Sequence, residues 1–168
     1  MNEAIFHLQP WNPEVRKQAE SLIDKIHTIV PELEILFMGA AALGLPGKND
    51  IDLDILCDAS AVQAYAEKLI PLLGNPKEMK SYLTSREFSL DGFEVDCILS
   101  DPKTSHVPLQ QKRFEILKAN PSLRNEYRRL KEESNGLPLA EYEKRKKAFL
   151  ETRVLSHEAS ESRGLRKM

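Results

Sequence analysis

The segment from Ile51 to Cys57 constrains the fold more than any other part of the sequence. Its side chains alternate between two faces, one formed by Ile51, Leu53, Ile55 and Cys57 and the other by Asp52, Asp54 and Leu56. This alternation predicts a β-strand that buries one face in a hydrophobic core. A single strand cannot bury that face, so we expect a sheet covered by helices, with carboxylates on its second face.

Hydrophobic patterns on either side of this strand predict the rest of the sheet and its covering helices. The predicted elements are a helix from about Pro13 to Val30, a strand Ile35–Met38, a loop Gly39–Gly47, a helix that is capped by Asp58 or Ser60 and runs to about Leu73, and strands Arg86–Leu90 and Phe93–Leu99. The last two strands flank Asp91-Gly92, which is a strong signal for a tight hairpin turn.

From Ser105 onward the hydrophobic residues recur at helical spacing. Three helices are expected, from about Pro108 to Ala119, from about Ser122, and from about Leu139 to Glu158. The order of elements predicts an α+β protein with a mixed sheet of about four strands flanked by helices and a C-terminal helical segment. We expect residues 1–101 to form the α/β core and residues 102–168 a helical segment packed on it, together one structural domain.

The two parts of the chain differ in charge. Residues 1–101 carry 8 Lys and Arg against 17 Asp and Glu, whereas residues 102–168 carry 16 against 9. This asymmetry indicates either docking between the two parts or a site where acidic groups meet an anionic ligand. Two solvated surfaces that happen to differ would account for the charges about equally well.

Composition excludes several classes of protein. The chain is 41% hydrophobic and 30% charged, which is typical of a globular protein, and it contains no apolar run long enough to cross a membrane. Met1 to Pro10 lacks the pattern of a secretory signal, and Cys57 and Cys97 lie in apolar strands, as reduced core thiols do. We therefore expect a cytoplasmic protein with no membrane partner.

Three carboxylates are the strongest candidates for chemistry. Asp52 and Asp54 leave the same face of one strand, and Asp96 lies within a second apolar strand. If the two strands are neighbours, the three side chains converge, and such a group suits a divalent ion that also binds phosphate oxygens. The alternative is that Asp-x-Asp, a short and common pattern, is simply the solvated face of a strand.

Together with the small-residue loop that begins at Gly39, this pattern resembles the signature of the nucleotidyltransferase superfamily. A narrower resemblance is to the GrpB family, and it covers about residues 8 to 158. The segments that carry it are Pro10-Trp11, Gly44–Lys48, Ile51–Asp54, Arg113–Pro121, Glu126–Lys131 and Tyr142–Phe149.

The resemblance implies a nucleotidyltransferase-like fold and Mg²⁺- or Mn²⁺-dependent transfer of a nucleotide from an NTP to an unidentified hydroxyl-bearing acceptor. Asp52 and Asp54 would hold the metals, and Asp96 would complete the metal site and help deprotonate the acceptor. Gly39 and Ala40 would offer backbone N–H groups to the phosphates, and Lys48 would neutralise their charge.

Two departures from the family pattern bear on this function. Ala40 stands where the family usually has a serine, so a hydroxyl contact to phosphate is missing, whereas Asp96 restores the third carboxylate of the wider superfamily. Ala40 favours the alternative function, a non-catalytic nucleotide-binding or interaction protein that retains the fold, and Asp96 opposes it.

The remaining polar residues give weaker signals. Lys80 and Arg86 are minor candidates for phosphate contacts. The four histidines, His7, His27, His106 and His157, show no zinc-ligand spacing. The basic run Lys144–Lys147 is expected to be a solvated or docking face, with nucleic-acid binding as the minority interpretation.

Overall fold

A computed structural model describes residues 2–103 and 107–156 of the chain. Its elements are α1 (Glu14–Ile29), β1 (Glu34–Met38), α2 (Gly39–Ala42), β2 (Ile51–Leu56), α3 (Ala59–Lys68), α4 (Ile70–Leu73), β3 (Glu78–Lys80), β4 (Leu83–Leu90), β5 (Phe93–Ser100), α5 (Val107–Ala119), α6 (Pro121–Ser134), α7 (Leu139–Phe149) and a π-helical segment (Leu150–Val154). His106, His157 and the expected helix end at Glu158 lie outside the described residues.

The strands form one mixed sheet in the order β1-β2-β5-β4-β3. Strands β2 and β5 are parallel, and the other neighbouring pairs are antiparallel. The expected α+β architecture is confirmed, with five strands rather than about four. The additional strand is β3, whose three residues are all exposed and therefore lack the alternation that reveals a half-buried strand.

One face of the sheet carries the main hydrophobic core. Alternate residues of β2 and β5, including Ile51, Leu53 and Cys97, pack against α1 and α3. The face of α1 that packs on the sheet is buried at Val15, Ala19, Leu22 and Ile26. The opposite face of β2 and β5 therefore carries the acidic side chains, because successive residues of a strand point to opposite sides.

Arg86 lies on the core face of the sheet and not among the carboxylates. Its side chain is 2% exposed and donates hydrogen bonds to the carbonyl oxygens of Ala66 (2.7 Å) and Gly74 (2.8 Å). Ala66 lies in the last turn of α3 and Gly74 directly follows α4, so the buried guanidinium satisfies backbone acceptors that the C-terminal ends of these helices leave open. The structure thus does not support Arg86 as a phosphate partner.

The C-terminal helices form a second hydrophobic cluster with the loop that follows β1. Its buried members are Leu45, Leu117, Leu123, Tyr127, Phe149 and Val154, and Ala40 and Leu43 pack against them. The segment Gly39–Ala42, expected to be loop, forms the short helix α2. Its three alanines are good helix formers, and contacts from distant helices stabilise a turn that is too short to form by itself.

Candidate functional site

Asp52, Asp54 and Asp96 lie on the same face of the sheet. Asp52 of β2 and Asp96 of β5 are register partners in the parallel pair. Neighbouring strands lie about 4.8 Å apart, and Asp54 follows Asp52 by two residues, or about 6–7 Å along the strand. The structure therefore brings the three carboxylates of the sequence prediction to adjacent positions of one surface.

Burial and mutual repulsion act on these carboxylates. Asp54 is 5% exposed, and Asp52 and Asp96 are partly buried. Burial, followed by the charges of Asp50 and Asp96, raises the pKa of Asp52 to about 7, and the charge of Lys146 opposes this rise. The pKa of Asp96 is also raised, by burial and by the charges of Glu87 and Asp50. Such repulsion is relieved by protonation or by a cation.

Gly39 holds its backbone directly against Asp52. A Cβ atom built on Gly39 would lie 2.4 Å from Oδ2 of Asp52, and the residue has φ +83°, which favours glycine. The chain therefore passes from β1 into α2 in contact with the carboxylate. The first turn of a helix leaves N–H groups without intrahelical acceptors, and Gly39 and Ala40 lie in that turn.

The side chain of Ala40 contributes to the second hydrophobic cluster, and Lys48 is an exposed residue of the following loop. Lys48 Nζ lies 3.8 Å from Oδ2 of Asp50, and Asp50 is close enough to Asp52 and Asp96 to raise the pKa of each. The Lys48–Asp50 pair therefore lies at the border of the acidic surface.

A buried lysine lies on the other side of this loop. Lys131 of α6 is 3% exposed, and its Nζ donates a hydrogen bond to the hydroxyl of Tyr142 in α7 (2.8 Å). The ammonium lies 4.7 Å from the ring centroid of Tyr127 and 5.4 Å from that of Tyr142. Burial, and then the charge of Lys146, lowers the pKa of Lys131 to about 8.

Sequence reasoning assigned no individual role to Lys131 and considered Lys146 only as a member of the basic run Lys144–Lys147. Lys131 follows Leu123 and Tyr127 at intervals of four residues, so it lies on the inward stripe of α6, where a lysine is unusual. The position of a lysine on this inward stripe was the sequence feature that could have identified Lys131. Lys146 lies within the basic run, and its neighbours Lys144, Arg145 and Lys147 are exposed, whereas Lys146 is partly buried and its charge reaches Asp52.

The chemistry of the acidic surface fits a hard divalent cation. Carboxylate oxygens are the ligands that Mg²⁺ prefers, and neither Asp52 nor Asp96 forms a salt bridge with another described residue. Within residues 2–103 and 107–156, no three acidic, cysteine or histidine side chains are gathered closely enough to hold a metal by themselves. A metal here would therefore need additional oxygen ligands, such as the phosphates of a substrate.

No protein family and no curated protein matches the chain in sequence. Solved structures do match its fold, and the two described below are nucleotidyltransferases. Cid1 poly(U) polymerase with MgGTP bound is 19% identical, with a TM-score of 0.50 over 69% of this chain and 39% of that one. A second structure of Cid1, which concerns its RNA terminal uridylyl transferase activity, is 18% identical, with a TM-score of 0.52 over 73% of this chain and 40% of that one.

These likenesses define the class of the fold. The chain has a nucleotidyltransferase fold, with a five-stranded mixed sheet flanked by helices, and it spans about two fifths of the length of these similar proteins. None of the described helices has both the length and the hydropathy required to span a bilayer.

Proposed function

We propose that the protein transfers a nucleotide from an NTP to a hydroxyl-bearing acceptor, in the manner of the GrpB family that its motifs resemble. The observation that carries this proposal is the register of Asp52 with Asp96, with Asp54 on the same face, within a nucleotidyltransferase fold. Three carboxylates on adjacent positions of one largely buried face repel one another, and this repulsion costs stability unless a cation relieves it.

Each carboxylate has a role in this proposal. Asp52 and Asp54 would hold Mg²⁺ or Mn²⁺ together with phosphate oxygens, and the bound metal would supply Lewis-acid activation of the phosphate. Asp96 is the third carboxylate of the site and accepts the proton of the acceptor hydroxyl. Its raised pKa suits this role, because it makes the carboxylate a stronger base. The hydroxyl oxygen attacks the α-phosphorus, the bond to the bridging oxygen breaks, and pyrophosphate leaves.

The residues that border the carboxylates would position the substrate. Gly39 and Ala40 offer N–H groups beside Asp52, and Lys48 adds positive charge at the border. One similar structure is that of an RNA terminal uridylyl transferase, so an RNA 3′-hydroxyl is the first acceptor to test.

The proposal includes a cytoplasmic location and the division into a core at residues 1–101 and a helical segment at residues 102–168.

A second candidate function is nucleotide binding without catalysis. Ala40 favours it, because its methyl group packs against the helical cluster and offers no hydroxyl group to a phosphate. Both functions predict nucleotide binding, and only the first predicts pyrophosphate release.

The decisive experiment measures binding and turnover in the same variants. An NTP with Mg²⁺ should raise the Tm of the wild-type protein by mass action, and Asp54→Asn should abolish that rise while leaving the ligand-free protein equally stable or more stable. Glu94→Gln is the matched control, since Glu94 is an exposed carboxylate of the same strand as Asp96. An equal Tm rise in Asp54→Asn would contradict the proposed site, whereas binding without pyrophosphate release from any acceptor would leave the second function.

A further inference from the structure

A recess beyond the last residue of α2 is lined by three cations and a tryptophan. Its volume is about 250 Å³, and its charged lining consists of Arg16 from α1, Lys118 from α5 and Arg124 from α6, beside Trp11. No carboxylate is among the described residues that line this cationic recess. The three positive charges repel one another, and an anion in the recess would relieve the repulsion.

Backbone acceptors orient both guanidinium groups of the cationic recess. Arg16 Nη2 donates to the carbonyl oxygen of Ala42 (2.8 Å). Arg124 Nη1 donates to the carbonyl oxygens of Leu117 (2.9 Å) and Lys118. A guanidinium has five N–H groups, so most donors of each arginine remain for a ligand, and none of the three cations forms a salt bridge with another described residue. Oriented guanidinium groups suit phosphate, which they bind through two parallel hydrogen bonds.

A groove continues from the cationic recess along the edge of the sheet. Strand β1 is the edge strand, and the groove beside it, which has a volume of about 490 Å³, runs between β1 and α5. Arg16 and Lys118 line both cavities, so the recess and this edge groove are continuous. The acidic residues of the groove are Glu34, at the start of β1, and Glu115, so an anionic ligand would be held mainly at the recess.

Aromatic rings lie along the same path as the cations. Trp11 is partly exposed in the recess, and Phe37 and Phe114 line the edge groove. Phe114 is partly exposed and belongs to neither hydrophobic cluster, so core packing does not account for it. The guanidinium carbon of Arg16 lies 5.8 Å from the ring centroid of Phe37. Cations beside aromatic rings in a groove are the arrangement by which proteins bind single strands, because cations contact phosphates and rings stack on bases.

We propose that the cationic recess and the edge groove bind a single strand of nucleic acid, with its phosphates in the recess and its bases against the aromatic rings. Phosphate oxygens accept charge-assisted hydrogen bonds from the remaining N–H groups of the two arginines, and such bonds are about twice as strong as neutral ones. A peptide rich in carboxylates would also satisfy the cations, but it offers no flat rings to Trp11, Phe37 and Phe114.

The bound strand is also the acceptor of the proposed function, and this step rests on that function. Helix α2 joins the two sites, because Gly39 at its start contacts Asp52 and Ala42 at its end accepts a hydrogen bond from Arg16. The helix has four residues and is about 6 Å long, so the recess lies close to the carboxylates. The terminal hydroxyl of the strand is then the group that attacks the α-phosphorus.

The first test measures the phosphate contacts. Fluorescence anisotropy reports binding of a labelled single-stranded RNA to the full chain, with a chelator present and no NTP. Lys118→Gln should weaken binding and lower the slope of log K against log salt concentration by about 0.7, because one phosphate contact to a single strand is lost. Lys25→Gln is the matched control, since Lys25 is an exposed lysine of α1 outside both cavities, and it should change neither quantity.

The second test measures base stacking. Phe114→Leu removes a flat ring and keeps a large apolar side chain, so binding should weaken by about fivefold or more at an unchanged salt slope. Phe93→Leu is the matched control, because Phe93 is a partly exposed phenylalanine of β5 outside both cavities. Lys118 is exposed and Phe114 lies outside both clusters, so both variants should keep the wild-type Tm, which separates lost binding from unfolding.

Competing ligands decide the chemistry of the site. Single-stranded RNA and single-stranded DNA of one sequence are compared, and binding of either strand that depends on Lys118 and Phe114 supports the proposal. The strand that binds more tightly is the acceptor class. Unchanged affinity in Lys118→Gln and Phe114→Leu would overturn the proposal. Equal affinity for a polyglutamate peptide of the same charge would also overturn it, because the site would then accept anions in general.

Failure of this inference is distinguishable from failure of the proposed function. Asp54→Asn should bind the strand as the wild type does, because the recess requires neither a metal nor the carboxylates. Strand binding that depends on Lys118, in a protein that releases no pyrophosphate, would sustain the binding site and reject catalysis. Pyrophosphate release with a small hydroxyl-bearing acceptor, in a protein that binds no strand, would sustain catalysis and reject the binding site.

Discussion

The Gly39 backbone and the Asp52 carboxylate are in contact so close that no side chain fits between them. A Cβ atom at Gly39 would lie 2.4 Å from Oδ2 of Asp52, and φ at Gly39 is +83°. The end of β1 and the start of α2 therefore fix the orientation of the carboxylate from one side. In the proposed site, this contact decides where the oxygen atoms of Asp52 point.

Gly39→Ala should displace Asp52 as well as strain the backbone. Gly44→Ala is the matched control, because Gly44 has φ +72° and its Cβ would meet no atom within 4 Å. The backbone penalty, about 1–2 kcal/mol, applies to both variants, and only Gly39→Ala should also lose NTP-dependent stabilisation. Denaturant unfolding with and without Mg²⁺-NTP measures both effects, and equal ligand responses in the two variants would show that the contact has no functional importance.

Asp52 should make the stability of the ligand-free protein depend on pH. Its pKa is raised from 3.8 to about 7 in the folded protein, so the folded state binds a proton that the unfolded state releases. The stabilisation is fully present below pH 3.8 and is lost as the pH rises to about 7. Asp52→Asn should remove this component, so that the wild-type protein loses more unfolding free energy than the variant between pH 5 and pH 8.

Arg86 should be important for stability and dispensable for the carboxylate surface. Arg86→Ala leaves two buried carbonyl groups without their donor and opens a cavity, which should cost roughly 2–4 kcal/mol in the free energy of unfolding. Arg16→Ala, at an exposed arginine that also donates to a carbonyl, should cost less than about 1 kcal/mol. Loss of NTP binding in folded Arg86→Ala, at unchanged stability, would contradict this assignment.

Local periodicity explains what could be predicted of the fold. Strand β2 alternates apolar and acidic residues from Ile51 to Ile55, and its carboxylate face follows from that alternation. The hairpin was equally predictable, because Asp91 and Gly92 both adopt positive φ, at 48° and 87°, as the tight turn between β4 and β5 requires. These features depend on residues that are neighbours in sequence.

Features that depend on distant residues were not predictable in the same way. Lys131 and Tyr142 meet because α6 and α7 pack together, and Gly47 meets Lys131 across 84 positions of the chain. Arg86 shares its face of β4 with Thr84, Phe88 and Leu90. The acceptors of its buried guanidinium, the carbonyl oxygens of Ala66 and Gly74, are brought to it by the packing of distant helices. A sequence pattern records which face a residue occupies, and the partner on that face is set by the whole fold.

Ala40→Ser should raise the rate of nucleotidyl transfer. A hydroxyl at this position of α2 would lie in the turn that borders Asp52, and a hydrogen bond to a charged phosphate contributes about 1.5–3 kcal/mol. If the hydrogen bond forms mainly in the transition state, it lowers the activation free energy. A decrease of about 1.4 kcal/mol corresponds to a tenfold increase in kcat. Metal-dependent pyrophosphate release measures this increase, with the wild-type protein expected to be slow and not inactive.

Ala42→Ser is the control for this substitution. Ala42 lies in the same short helix but two residues further from the Gly39–Asp52 contact, and its carbonyl oxygen already accepts a hydrogen bond from Arg16. The control should leave kcat within about twofold, since its hydroxyl has no developing charge to stabilise. If Ala40→Ser and the wild type both bind the nucleotide but neither releases pyrophosphate, the chain is a binding protein, and Ala40 is then a packing residue of the helical cluster.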